Sequence, residues 1–99
     1  MENLQAGSIS KTIDGSNKTN GYIEVQCTFA EPFTNAKLGP VCVVADFLHP
    51  SVGTTDAKNC CTASGLRDIS ATGFIKVIAL APGTNVGDQL TVFWQAWQA

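Results

Sequence analysis

Charge is scarce in this sequence. Only 14% of its 99 residues are Asp, Glu, Lys or Arg, against roughly 25% in an average soluble domain. A surface so poor in charge is expected to be partly covered by a partner. The six basic residues, Lys11, Lys18, Lys37, Lys58, Arg67 and Lys76, are scattered, and the net charge is −2. With no basic stripe to neutralise phosphates, nucleic acid is not an expected partner. There is no apolar run of about 18 residues, so no membrane insertion is expected. Met1 to Ser10 lacks the charged start and apolar block of a secretory signal. The expectation is a chain that folds in the cytosol, or a piece of a longer protein.

Cysteine is present but sparse. Cys27, Cys42, Cys60 and Cys61 are too few for a disulfide scaffold and lack the C-x-x-C rhythm of a zinc site. A bond between the adjacent Cys60 and Cys61 would strain the backbone. Cys27 and Cys42 sit in apolar runs, where a free thiol behaves as a small hydrophobe. Buried thiols are the first reading, with one disulfide and a metal site as alternatives. Neither a metal nor another cofactor is expected.

Helical periodicity is also missing, and strand-like runs take its place. Tyr22 to Phe29 alternates, with Ile23, Val25, Cys27 and Phe29 on one face and Glu24, Gln26 and Thr28 on the other, the pattern of a strand with one solvated side. Val41–Leu48, Phe74–Ala81 and Gln89–Trp97 are apolar on both faces. Cys60–Leu66 reads as a short strand, and Gly7–Lys11 as a short edge strand. Thr12 to Gly21, Thr34 to Gly39, His49 to Asn59 and Ala81 to Asp88 read as loops. Arg67 to Gly73 reads as a turn, with Gly73 supplying a permissive backbone. The expected fold is all-β: one domain over residues 1–99, a six-stranded antiparallel β-sandwich, with residues 1–6 a flexible N-terminus. Strands greasy on both sides would leave contiguous apolar patches in water, which monomers rarely tolerate. A symmetric homo-oligomer would bury them.

Several motifs, taken in order, carry a resemblance. They are Gly7-Ser8-Ile9; Val25-Gln-Cys-Thr-Phe-Ala-Glu-Pro-Phe33; Pro40-Val-Cys-Val-Val44; Ile69-Ser-Ala-Thr-Gly-Phe74; and Leu90-Thr-Val-Phe-Trp-Gln-Ala96. Together they resemble the H-type lectin domain in the version found in bacteriophage tail fibres and tail spikes. The resemblance spans about Gly7 to Ala96. It implies a homotrimer with sugar bound on loops at one end. Animal members that bind N-acetylgalactosamine use an arginine where this chain has Gly65, with Arg67 two residues on. They also use a Trp-His pair where this chain has Ala81-Pro82-Gly83-Thr84. That sugar site therefore does not carry over residue by residue.

The remaining candidates come from loop chemistry. The 52–59 loop offers Thr54, Thr55, Asp56, Lys58 and Asn59, and the 82–88 loop offers Thr84, Asn85 and Asp88. Arg67 could fork onto a pair of hydroxyls, and loops on a rigid scaffold are where binding usually sits. Trp94 shares a face with Leu90 and Val92 and is expected in the core. Trp97 points the other way, to pack at a subunit boundary or stack on a sugar. Asp46, His49 and Ser51 are close in sequence, but a triad needs convergence on one reacting atom, so no catalytic residue and no enzyme is expected. Asp14, Asp56, Asp68 and Asp88 read as turn residues. Asn17-Lys18-Thr19 fits a glycosylation acceptor, which matters only in a eukaryotic secretory pathway.

The functional expectation is a trimeric receptor-binding tip of a phage tail fibre or tail-like particle that recognises a bacterial cell-surface polysaccharide. It would be assembled in the bacterial cytoplasm and carried on the virion. The alternatives are a structural trimerisation module and a stand-alone lectin, cytoplasmic or extracellular.

Overall fold

Alternation along the chain translates directly into strands in the computed structural model, which describes residues 3–48, 63–81 and 83–98. In order these are β1 (Gln5–Thr12), α1 (Gly15–Asn20), β2 (Tyr22–Thr28), β3 (Val41–Leu48), β4 (Ala63–Arg67), β5 (Gly73–Ala79) and β6 (Gln89–Gln98). They form two three-stranded antiparallel sheets, ordered β1–β6–β3 and β2–β5–β4. Among the described residues the chain is all-β apart from one short helix. β3 has the bounds its sequence pattern predicts. The sequence predicts a flexible lead-in over residues 1–6, but Gln5 and Ala6 pair with Ala96 and Gln95.

The two sheets share one core. β2 contributes Ile23, Val25 and Cys27, β5 contributes Phe74 and Ile78, and β6 contributes Leu90, Val92, Trp94 and Ala96, all buried. Each large side chain taken from water adds roughly 1.5–3 kcal/mol. Val41, Val43, Ala45 and Phe47 of β3 pack against the same cluster from the sheet edge. Phe29, Phe33, Phe74 and Trp94 form an aromatic knot, with ring centroids 5.0–6.0 Å apart. Phe29 and Phe33 reach it because their N–H groups donate to the carbonyls of Thr72 and Ala71 at 2.9 and 2.8 Å. These bonds tie the segment after β2 to the turn before β5.

Two glycines are set by space. A Cβ at Gly7 would stand 2.6 Å from the Trp94 ring, and one at Gly73 would stand 2.3 Å from the Cys27 carbonyl oxygen. Gly73 is thus a residue of β5 whose role is close approach, not the permissive turn backbone expected of it. The positive φ near there belongs to Asp68, at 55°.

The polar stretch 12–21 is not simply a loop. Asp14 caps α1: its carboxylate accepts from the Asn17 N–H at 2.8 Å, and Asn17 Oδ1 accepts from the Asp14 N–H at 3.0 Å. Gly21, at φ 81°, closes the other end in the left-handed region and donates to the Asn17 carbonyl. This reciprocal box and glycine stop define the helix, which buries none of its residues. With no apolar stripe there was no helical period to read. Ile13, just before it, is fully buried. It is pinned by Ile13 N–H to Asp88 O and Gly87 N–H to Ile13 O, both 2.8 Å.

Candidate functional site

Among the described residues expected as ligand contacts, Arg67 does not join Thr84, Asn85 and Asp88. Thr54, Thr55, Asp56, Lys58 and Asn59 lie outside the described residues, as do His49 and Ser51. Among the others, Thr84 is a correction. It is only 1% exposed, and its hydroxyl has no partner among the described residues. Its N–H donates to the Ala81 carbonyl at 3.0 Å, and its carbonyl accepts from Lys18 Nζ of α1. Thr84 therefore plugs the end of the core and is not a solvated loop contact.

Asn85 and Asp88 hold each other. The Asn85 N–H donates to the Asp88 carboxylate at 3.1 Å, and the Asp88 N–H donates to the Asn85 carbonyl at 3.2 Å. This is the turn role that aspartate fills by bonding to nearby backbone.

Arg67 is engaged elsewhere. Its guanidinium pairs with Glu24 at 2.5 Å on the outer face of the β2–β5–β4 sheet, and its Nε lies 3.7 Å from Asp68. In register Arg67 stands opposite Ile75, whereas the 83–88 turn lies beyond Ala79 at the end of β5. Arg67 and that turn are thus separated by most of a strand. Glu24 sits 43 positions away in sequence, and no local motif signals the pair.

Trp94 is in the core, as its pattern predicts. Trp97 is half-buried and stands opposite Cys42 across the β3–β6 ladder. Both lie on the outer face of the β1–β6–β3 sheet. Paired residues point the same way, so that face also carries Ala6 and Ser8 from β1, Phe93 and Gln95 from β6, and Val44, Asp46 and Leu48 from β3. Val44, Leu48 and Phe93 are 60%, 58% and 46% exposed. A shallow depression of about 410 Å³ runs between Ala6, Val44, Asp46, Phe93 and Gln95. The Asp46 carboxylate accepts from the Phe47 N–H at 2.8 Å. This is the two-sided greasiness read from sequence, and it is strongest on β3 and β6.

The outer face of β5 is milder, with Ile75, Val77 and Ala79 half-buried. Its inner face breaks the apolar pattern at Lys76. The Lys76 ammonium, 5% exposed, donates to Ser64 Oγ at 3.2 Å and to the Ala45 carbonyl at 3.3 Å.

No group of three or more His, Cys, Asp or Glu side chains among the described residues could hold a metal. Cys27 and Cys42 are free thiols. Burial pushes the Cys27 thiol above its ordinary value, a shift that Lys11 opposes by favouring the thiolate. A raised thiol is a poor nucleophile at neutral pH. Among the described residues no helix is long and apolar enough to cross a membrane.

No protein-family model matches the chain, and no curated protein matches it in sequence. Among solved structures it is similar to the tailspike gp61 of Pseudomonas phage phi297, with a TM-score of 0.65 and 17% identity over 97% of this chain. The matched region is 15% of that chain. At this identity the likeness is one of fold: two antiparallel sheets arranged as in a segment of a phage tailspike.

Proposed function

We propose that this chain is a binding, non-catalytic module of a phage tail fibre, tail spike or tail-like particle. In this reading three copies assemble through the outer face of the β1–β6–β3 sheet, and the assembly presents a surface to a bacterial glycan. The observation that carries the proposal is the coincidence of two features. The fold is shared with a segment of a tailspike, and one sheet exposes Val44, Leu48 and Phe93 together. Contiguous apolar surface of that kind marks an interface, and a closed threefold ring lets three copies of the face pack around one axis. The sandwich of H-type lectin pattern, the homotrimer and the virion location all belong to this reading.

The test has two arms. Light scattering is expected to give three times the chain mass of 10.4 kDa, and a monomer overturns the assembly. A panel of bacterial surface polysaccharides is expected to include at least one binder, and failure of every one overturns recognition.

A structural trimerisation module is the second reading, and a specific observation favours it. Arg67 pairs with Glu24, Thr84 is buried, and the Asp88 carboxylate accepts from the Asn85 N–H, leaving these three candidates little to offer a sugar. If the trimer forms while no glycan binds, this second reading holds.

A further inference from the structure

The end of the molecule away from α1 holds a cleft that no sequence motif marks. It lies between the start of β1, the 31–38 segment and the end of β6, and measures about 360 Å³. That is the small end of the roughly 300–1,000 Å³ range of ligand sites.

Amides hold its walls in place. Gln5 Nε2 donates to the Glu31 carbonyl at 2.7 Å while Gln5 Oε1 accepts from the Glu31 N–H at 3.2 Å. Gln98 Nε2 donates to the Asn35 carbonyl at 3.2 Å and lies 3.5 Å from that of Gly39. The segment is thus braced on both sheet-end strands before any ligand arrives, which lowers the ordering cost of binding.

The same residues leave polar groups unused. The Glu31 carboxylate, the Thr34 hydroxyl, the Asn35 side-chain NH₂ and Gln98 Oε1 have no hydrogen-bond partner among the described residues. Leu4 and Leu38, both substantially exposed, line the cleft beside them.

From this lining we infer that the cleft binds a neutral saccharide unit. A sugar hydroxyl donates and accepts through one oxygen, which suits a wall offering a carboxylate, an amide donor and a hydroxyl. Hydroxyl bonds to a carboxylate are about twice as strong as neutral ones. The leucines suit the C–H face of a pyranose ring. The lining has a carboxylate and no Lys or Arg, so uronic acids and phosphorylated sugars are disfavoured by like charge. The inference rests on the saccharide-recognition reading above, and it locates recognition at the opposite end from the 83–88 turn.

The test is a titration of the ¹⁵N-labelled full chain with D-galactose, D-glucose and N-acetyl-D-glucosamine, with D-galacturonic acid as the charged control. At least one neutral sugar is expected to shift the backbone N–H signals of Glu31 to Asn35 and the side-chain amides of Asn35 and Gln98. Galacturonic acid is expected to bind at least tenfold more weakly. Glu31→Gln is expected to weaken neutral binding at least tenfold and to erase the discrimination against galacturonic acid, which a purely structural role would not do. Equal binding of the acid overturns the inference. Sugar-dependent shifts confined to other parts of the chain overturn the cleft and leave saccharide recognition standing. No shift with any sugar, or with polysaccharides on the panel, overturns both.

Discussion

The Lys76 ammonium donates to the Ala45 carbonyl at 3.3 Å, a link from one sheet to the other through the interior. Its second bond, to Ser64, stays within its own sheet. No carboxylate among the described residues pairs with it. Two opposing effects decide its worth. A hydrogen bond from a charged group contributes about 1.5–3 kcal/mol, whereas removing an ammonium from water costs several kcal/mol. With two such bonds the gain and the desolvation nearly offset one another. Lys76→Met, which keeps the apolar stem, is therefore expected to leave stability unchanged or raise it by about 1 kcal/mol. Lys76→Ala, which empties the space, is expected to lower it by about 2 kcal/mol. Urea denaturation of the two variants separates these outcomes, and a Met variant clearly weaker than wild type refutes the ordering.

Cys27 makes stability depend on alkaline pH. Burial holds its thiol above the ordinary 9.0, so the folded chain keeps a proton that the unfolded chain gives up. The sign follows: the contribution is complete below about pH 9 and is lost as pH rises through the folded value. Other groups titrate in the same window, so the informative quantity is a difference. Cys27→Ala should lose less stability than wild type between about pH 8 and pH 10.5, read from urea midpoints. Parallel losses would show that the thiol does not carry the effect.

A charge placed on the greasy outer face should separate the copies without unfolding them. Val44 is 60% exposed, so Val44→Asp has no buried site to disturb in a single chain, whereas across an interface it buries an unpaired carboxylate. The expected result is a scattering mass of one chain, with the circular dichroism spectrum and thermal midpoint of the isolated fold retained. Cys42, half-buried on the same face, gives a second reading. With Cys60 and Cys61 changed to serine, Cys42 should react with a thiol reagent at least tenfold faster in Val44→Asp than in its parent. Equal rates in an assembled parent would place the interface elsewhere.

Legibility in the sequence followed the physics of each element. β2 and β3 were readable because one residue in two must face the core, and that period is imprinted at Ile23, Val25 and Cys27 and at Val43, Ala45 and Phe47. α1 was not, because six residues that bury nothing have no period to show. Its only written signals were Asp14 with Asn17 three residues on, and Gly21. The polar candidates were illegible for a different reason. A turn aspartate and a ligand aspartate look alike, and only the fold shows Asp88 bonded to Asn85 or Arg67 paired with Glu24. The cleft at the far end is assembled from Leu4, the 31–38 segment and Gln98, so nothing local in the chain announces it.

Gly73 and Gly65 lie in the same sheet and allow a paired test of close approach. A Cβ at Gly73 would meet backbone, 2.3 Å from the Cys27 carbonyl oxygen and 3.2 Å from its carbon. No rotamer change can relieve that contact, because the neighbouring ladder of β2 with β5 and the Phe29 N–H bond to the Thr72 carbonyl hold the two strands together on that side. Gly73→Ala must push the two strands apart where they carry Cys27 and Phe74 into the core, at a cost of about 1–3 kcal/mol. A Cβ at Gly65 would meet nothing within 4 Å, and its backbone is not in the left-handed region. There alanine acts mainly on the unfolded chain, and restricting it stabilises the fold by about 0.4–1 kcal/mol. Denaturation midpoints should therefore move in opposite directions for the two substitutions. A Gly73→Ala variant as stable as Gly65→Ala would mean that β2 and β5 do not approach as closely as their register requires.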